Sequence, residues 1–435
     1  MQNSRTIVPL AVALALSLAA CAGADDEGTD ATGAAPAAEA PTAQGPAAGR
    51  PAGAEASGAG HGAIDGAEEV AEPQLHLVSI DSDGAVGMVN LLDGTVSGPG
   101  AIAPPSAVTS DGRYLFAETG EGVEIVDSGV WTWDHVDHFH FYRTSPRVLG
   151  PVAGSGPVVV STSANATTGG TGLFFPESGE AVLLDNQALS RGRIEEVFRL
   201  ETEPHEGVTA PLGGGALVSS VDDSGAVTGV RFHDSAGAPV DGAAAPCPDA
   251  QGAITTRVGV VVGCADGAVL ATLDGDEPTL EHVPYPDDTD APRATDFRNR
   301  KGRPTTAALA GETGFWLLDT REKQWWHVPT AEPLVQVSAS DDADRHVVAL
   351  DHEGRIRVFD GAAGTEIAAT EPLVAAALAD PDSRNGVDLT VDRERAYVND
   401  PVGGVVHEID YRAGARVARS LDTPTAPDFY AETGR

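Results

Sequence analysis

The feature of the sequence that most constrains its fold is a repeat of short apolar runs separated by turn residues. From about residue 75 onward, these runs alternate with Asp-Gly, Ser-Gly and Gly-Gly dipeptides, which are turn signals between strands. Eight units can be recognised, and their first strong strands begin near Leu75, Tyr114, Val158, Ala216, Gly259, Ala307, His346 and Ala396. The first and last starts are 321 residues apart, so the seven steps average about 46 residues.

A period of 40–50 residues built from strands and turns is typical of the blades of a β-propeller. One blade cannot bury both of its faces, so we expect the units to close into one domain over residues 74–435. The sequence therefore predicts an all-β fold, a single β-propeller with eight blades or, because the spacing is uneven, seven. An array of β-sandwiches is the structural alternative, and the similar lengths of the units count against it.

The N-terminus predicts export and a lipid anchor. Arg5 is followed by an apolar run over residues 7–20 and then by Cys21. A basic start, a short apolar region and small residues before the cleavage point describe a secretory signal peptide at residues 1–20. Leu18-Ala19-Ala20-Cys21 resembles the lipobox of bacterial lipoproteins, which implies that Cys21 is diacylated and holds the protein on the outer face of the cytoplasmic membrane. An ordinary signal peptide with a chance cysteine is the alternative.

Residues 21–73 predict a disordered acidic tether. The segment consists mainly of Ala, Gly, Pro, Thr, Asp and Glu, and the first aromatic residue of the chain is Tyr114. Such a composition cannot bury enough apolar surface to offset the entropy of ordering. The whole chain carries a formal net charge of −38, which disfavours nucleic acids and anionic lipid headgroups as partners.

Two further cysteines, Cys247 and Cys264, lie 17 residues apart. A pair of cysteines in an exported chain predicts a disulfide. A cysteine-ligated metal site would favour closer spacing of the CxxC kind. We therefore expect this pair to have a structural role.

One histidine cluster stands out as a candidate metal site, in the stretch DHVDHFHFY at residues 134–142. Alternate residues of a strand share a face. This places four side chains on one face, Asp134, His138, His140 and Tyr142. Phe139 and Phe141 lie on the other face, where we expect them to pack between blades. Two imidazoles in His-x-His spacing suit one Zn²⁺ or Cu²⁺ ion, and the alternative is an exposed polar strand edge.

Two histidines never complete a zinc site, so other ligands must come from elsewhere. His205 precedes the strand that begins near Ala216, on the side where the chain enters a blade close to the central channel, and a surface-loop histidine is the equal alternative. His407 lies on a strand of the last unit. The weaker candidates are Asp134, Glu118 and His135.

Four stretches together resemble the exported zinc metallochaperones of the AztD type: DHVDHFHFY, PHEGV at 204–208, GCADG at 263–267 and AYVNDPVGGVVHEIDY at 396–411. The resemblance implies a β-propeller that binds Zn²⁺ and passes it to the solute-binding protein of a zinc ABC importer. It implies His138, His140 and His205 as ligands, with His407 in the matching closing strand. The chain departs from this type in two places. The type commonly carries a His-rich arm ahead of the propeller, whereas the corresponding arm here holds only His61 and His76, and Asp249-Ala250-Gln251-Gly252 follows Cys247 where a His-Gly step is usual.

Two other classes of function remain as alternatives. A non-catalytic propeller scaffold could dock partner proteins at the cell surface and would need no metal. We expect the protein itself to be a monomer. A lactonase-like propeller enzyme would use calcium held by carboxylate and Asn ligands, but no such cluster is evident and GxSxG with a placed Asp and His is absent. We therefore expect a protein that is not an enzyme, and metal content distinguishes the three classes.

Overall fold

A computed structural model describes residues 62–134 and 138–435. The predicted signal peptide, Cys21, the tether as far as His61, and His135 lie outside the described residues. Within the described part of the chain, no helix is both long enough and apolar enough to cross a membrane.

The described residues form eight four-stranded antiparallel sheets and one three-stranded sheet. We number the four-stranded sheets 1 to 8 along the chain and give their strands in order across each sheet. Sheet 1 contains Phe429–Thr433, His76–Ile80, Ala85–Asn90 and Val96–Ala101, and sheet 2 contains Ala107–Ser110, Tyr114–Thr119, Gly122–Asp127 and Arg147–Ala153. Sheet 3 contains Val159–Thr162, Gly170–Phe175, Glu180–Asp185 and Glu196–Glu201, and sheet 4 contains Thr209–Leu212, Gly215–Val221, Val227–His233 and Pro239–Pro246.

The second half of the chain repeats the same four-strand pattern. Sheet 5 contains Ala253–Thr255, Val260–Cys264, Gly267–Asp274 and Glu277–Pro284, and sheet 6 contains Phe297–Arg298, Thr305–Leu309, Gly314–Asp319 and Gln324–Pro329. Sheet 7 contains Leu334–Ala339, His346–Asp351, Ile356–Asp360 and Thr365–Ala369, and sheet 8 contains Leu389–Val391, Ala396–Asp400, Val405–Asp410 and Arg416–Asp422. The helices among residues 62–134 and 138–435 are short, Asn186–Ser190, Ala375–Ala379, Arg384–Gly386 and Tyr411–Ala413.

The core lies between the sheets. Between each sheet and the next, from sheet 1 to sheet 8, buried apolar side chains of both sheets pack together in a cluster. A further cluster joins the last sheet to the first, with Tyr397 and Val406 against Leu77 and Tyr430. This cyclic succession of antiparallel sheets is consistent with a β-propeller, and the eight sheets agree with the larger of the two predicted blade numbers.

Burial follows the position of a strand within its sheet. The second strand of sheet 3, Gly170–Phe175, is buried at every residue because neighbouring sheets cover both of its faces. The fourth strand of sheet 5, Glu277–Pro284, alternates between exposed and less exposed residues at the outer edge. Continuous apolar runs followed by alternating ones therefore mark the inner and outer strands of each unit.

The predicted disulfide is confirmed. Cys247 and Cys264 are bonded and both are fully buried. Cys247 follows the last strand of sheet 4, and Cys264 ends the second strand of sheet 5. The bond therefore joins two neighbouring sheets.

The three-stranded sheet is an addition to the repeat. It contains Glu68–Val70, Phe139–Arg143 and Val130–Asp134, in that order. Val130–Asp134 and Phe139–Arg143 form a hairpin, which we call the histidine hairpin, inserted between the third and fourth strands of sheet 2. The sequence predicts disorder as far as residue 73, but Glu68–Val70 is a strand there, because the edge of the hairpin supplies backbone partners and Arg143 pairs with Glu68 at 2.8 Å.

Candidate metal centre

The histidine hairpin lies at a defined end of the sheets. In sheets 2 to 8, the connections from first to second strand and from third to fourth strand lie at one end, which we call the hairpin end. At this end Arg147 of sheet 2 donates to the Ser190 carbonyl of sheet 3 at 3.0 Å. Arg257, between the first two strands of sheet 5, pairs with Asp134 of the hairpin at 2.9 Å. The hairpin therefore reaches across from sheet 2 to sheet 5.

The two histidines predicted to share a strand face converge, although His138 immediately precedes the strand Phe139–Arg143 and only His140 lies within it. Nε2 of His138 lies 2.9 Å from Nε2 of His140, and the two rings are 4.7 Å apart between centroids. The side chain of His140 is 20% exposed, and His138 is exposed. The pair is therefore reachable from solvent.

Glu69 contacts the other ring nitrogen of His140. Its Oε1 lies 2.6 Å from Nδ1 of His140. An ionised carboxylate only accepts hydrogen bonds, so Nδ1 of His140 carries the proton and Nε2 presents a lone pair toward His138. A carboxylate on the outer nitrogen of a histidine is the usual arrangement of metal-ligating imidazoles.

The spacing of the two nitrogens fits one tetrahedral metal ion. Zn–N bonds of about 2.0–2.1 Å at a tetrahedral angle place two nitrogen ligands about 3.3 Å apart. The observed 2.9 Å differs from this value by a few tenths of an ångström, which small ring rotations can supply. The donor set, two imidazoles with an outer carboxylate, suits Zn²⁺ or Cu²⁺ and offers no thiolate.

Aromatic packing anchors the strand that carries the pair. Tyr142 stacks on Trp131 at 5.2 Å, and both side chains are 2% exposed. Burial raises the pKa of Tyr142. The guanidinium of Arg113, which is fully buried, lies 3.9 Å from the ring centroid of Trp131. The ligand end of the hairpin is therefore exposed, while its base is fixed.

Two expectations about the faces of this hairpin are wrong. Asp134 is the cross-strand partner of Phe139, so it shares a face with Phe139 and not with His140, and its carboxylate pairs with Arg257. The two strands are antiparallel with Asp134 opposite Phe139, so the alternation does not continue from one strand into the other. Phe139 is 54% exposed instead of packed between blades, because the hairpin stands outside the repeat.

The structure does not bring His205 to the pair. His205 lies in the link from sheet 3 to sheet 4, at the opposite end of the sheets from the hairpin. Its Nδ1 is 2.6 Å from the Glu203 carbonyl oxygen, its Nε2 is 2.8 Å from Ser219 Oγ, and its ring packs on Phe174. With 9% exposure and both ring nitrogens bonded locally, this imidazole holds the loop together.

Glu118 and His407 also lie apart from the pair. Glu118 is near the end of the second strand of sheet 2, again opposite the hairpin end, where it accepts hydrogen bonds from Ser106 Oγ and the Val158 amide. His407 lies in the third strand of sheet 8 with Nδ1 2.9 Å from Ser420 Oγ, and burial lowers its pKa. Both side chains are engaged within or between their own sheets.

A second group of possible ligands lies at the hairpin end. In the described part of the chain, Asp342, Asp344 and His346 place one donor atom each within 4.8 Å of one another. Nδ1 of His346 is 2.6 Å from Asp342, and the His346 amide also donates to that carboxylate. These bonds close the turn between the first two strands of sheet 7, and they are consistent with a metal without requiring one.

Sequence reasoning missed two of these features. Glu69 falls in the predicted tether, and no local signal connects it to a strand some 70 residues later. The presence of Asp342, Asp344 and His346 within five residues was a visible signal of possible metal ligands. From the sequence, His346 was placed at the start of a strand, and the turn before it was not identified as a group of ligands.

Together, the fold and this site define an all-β protein of eight cyclically packed sheets that carries an exposed, carboxylate-backed histidine pair on an inserted hairpin. No protein-family profile matches the sequence. The structure is similar to AztD of Citrobacter koseri, with 21% identity, a TM-score of 0.70, and coverage of 84% of this chain and 99% of that one, and the apo structure of the same protein gives the same values. The resemblance to the AztD type is thus confirmed, and at this identity it shows the fold.

A more distant likeness exists to the dihydro-heme d1 dehydrogenase NirN in complex with DHE. The identity is 12%, the TM-score is 0.50, and the match covers 84% of this chain and 76% of that one. This likeness extends to the fold of the repeat only.

Proposed function

We propose that this protein is an eight-bladed β-propeller metallochaperone that binds Zn²⁺ through His138 and His140 and passes it to the solute-binding protein of a zinc ABC importer. The observation that carries the proposal is the convergence of the two Nε2 atoms at 2.9 Å with Glu69 on the outer nitrogen of His140. The resemblance to the AztD type supports the choice of zinc and of an importer as recipient.

The exposure of the pair supports transfer over storage. A closed structural zinc site has four protein ligands, whereas an ion held by two imidazoles keeps positions open to solvent or to an incoming ligand. We propose His135, three residues before His138 in the sequence, as a third protein ligand. A recipient can then add its own ligands before the last bond to this protein breaks.

The proposal includes a lipid anchor at Cys21 and a domain order of signal peptide, tether and propeller. A tether of about 50 residues would let the propeller meet a membrane-bound importer within a small volume and raise the effective concentration. Incorporation of labelled palmitate, lost in Cys21→Ala, tests this part. A wild-type protein that is recovered free of membranes with an N-terminus beyond Cys21 contradicts it.

The zinc site is tested by chelator competition with the purified protein. We expect about one tightly bound Zn²⁺ and a loss of at least 100-fold in affinity for His138→Ala or His140→Ala, since each removes half of the identified ligands. His282→Ala is the matched control, because this partly exposed histidine bonds Asp266 on sheet 5, far from the hairpin in sequence. Equal affinities in wild type and both hairpin variants would refute the site.

Delivery is tested separately, by mixing the zinc-loaded protein with the metal-free binding protein of an importer. Transfer that is faster than the spontaneous release of zinc into a chelator supports direct handover. A transfer rate equal to the release rate would leave a zinc-binding protein without a chaperone function.

A further inference from the structure

Glu69 is the described residue with the most direct contact to the histidine pair from outside the hairpin. It lies in the middle of the three-residue strand Glu68–Val70, where it is the cross-strand partner of Tyr142. From there its carboxylate reaches Nδ1 of His140 at 2.6 Å. The adjacent carboxylate, Glu68, pairs instead with Arg143.

We propose that Glu69 is a positioning residue for zinc binding and that docking of the strand Glu68–Val70 on the hairpin sets how tightly the ion is held. This inference rests on the proposed function. It adds an element of the N-terminal segment to a site whose two ligands both belong to the hairpin.

The contact fixes the properties that a ligand needs. With its proton held on Nδ1 by Glu69, the imidazole of His140 presents Nε2 in the correct tautomer and orientation, and the carboxylate makes that nitrogen a stronger donor. Replacing such an outer carboxylate typically lowers metal affinity by about 10- to 100-fold.

The strand that carries Glu69 is weakly held. It has three residues, two of them exposed, and its ion pair to Arg143 joins side chains that are 63% and 50% exposed. Exposed ion pairs contribute little, and short exposed edge segments open with a small free energy. Movement of this strand therefore changes the hold on the ion while both ligands stay in place.

Coupling of this kind must act in both directions. If docking of the strand strengthens zinc binding, zinc must favour docking by the same factor. Zinc should therefore slow hydrogen exchange at the amides of residues 68–70, although none of these residues needs to bind the ion.

The experiment uses the full chain and compares Glu69→Gln with Glu68→Gln, a matched control one residue away. Zinc affinity is measured by chelator competition, and exchange at residues 68–70 is followed with and without zinc. We expect affinity to fall at least 10-fold in Glu69→Gln and to stay within about 2-fold in Glu68→Gln. Protection by zinc should appear in wild type and Glu68→Gln and be much reduced in Glu69→Gln.

The absorption spectrum of bound Co²⁺ separates positioning from ligation. The visible bands of Glu69→Gln should keep their wild-type positions, because the set of bound atoms is unchanged. A shift to a different coordination would show that Glu69 is itself a ligand and would overturn the positioning role. Equal zinc affinity in the two variants, with both folded by near-UV circular dichroism, would overturn the inference alone, whereas a wild type that binds no zinc would overturn the proposed function.

Discussion

The base of the histidine hairpin depends on a fully buried ion pair, and removing one member of it should be the most destabilising polar substitution near the site. Arg113 donates from Nε and Nη2 to the two carboxylate oxygens of Asp127 at 2.9 and 3.0 Å, and both side chains are 0% exposed. Asp127 also accepts from Arg147 and from the Gly129 amide. Asp127→Asn keeps the shape and removes the charge that compensates Arg113.

The magnitude follows from burial. Breaking a buried ion pair by changing one partner costs about 3–5 kcal/mol, because the other charge stays in a low-dielectric site. The face of Trp131, 3.9 Å from the guanidinium, offsets only about 0.5–2 kcal/mol of that cost. We therefore expect Asp127→Asn to lower the free energy of unfolding by about 3 kcal/mol or more.

Urea unfolding followed by tryptophan fluorescence measures this loss. The control is Glu68→Gln, which removes an exposed pair in the same region and should change the free energy of unfolding by less than about 1 kcal/mol. In a double-mutant cycle, Arg113→Met should be less costly in the Asp127→Asn background than in wild type. If Asp127→Asn is no more destabilising than Glu68→Gln, the argument from burial is refuted.

Three other predictions concern stability. The double variant Cys247→Ala, Cys264→Ala should lose about 3 kcal/mol of unfolding free energy for a loop of this length, and the wild type should show no reactive thiols from this pair when denatured without reductant. Burial raises the pKa of Glu432 to about 8, with Asp392 adding to the shift and Arg435 opposing it. The folded state then binds more protons than the unfolded state between pH 4.5 and 8, so the free energy of unfolding should fall as pH rises through this window. Glu432→Gln should make this fall smaller. If urea unfolding at pH 5 and at pH 8 gives the same change in unfolding free energy for wild type and Glu432→Gln, the prediction is wrong. His205→Ala should lower stability by about 1–3 kcal/mol through its lost hydrogen bonds while leaving zinc affinity within 2-fold, and a large loss of affinity would place His205 in the metal site.

Local patterns in the sequence predicted the repeat and the histidine pair. The turn dipeptides and apolar runs recur at intervals close to the length of one four-stranded sheet, so a repeat of seven or eight such units was predictable from the sequence. His138 and His140 share a face because alternate residues of any strand do. The cysteine pair was predictable because the export signal predicted at the N-terminus and the even number of remaining cysteines can both be read from the sequence.

Long-range placement was not predictable from the same patterns. His205 looked like a third ligand because it precedes a strand, but the alternation of connections between the two ends of antiparallel strands puts it opposite the hairpin. Asp134 was expected on the face of the two histidines, but the pairing of the two strands places it opposite Phe139 on the other face. Glu69 looked like part of the tether because three residues of strand leave no compositional signal.

The sequence by itself determined the repeated strands, the disulfide partners and the two imidazoles on one strand face, because each of these depends on residues close together in the chain or on residue type alone. Only the tertiary structure decided which end of the sheets the hairpin occupies, that its Phe139 face is exposed, and that a carboxylate from the N-terminal segment backs His140. These features depend on the order in which sheets pack and on an edge strand docking across more than 60 residues of chain. The periodicity of apolar residues in the sequence does not predict such contacts, because they form between surfaces that meet only after the sheets have formed.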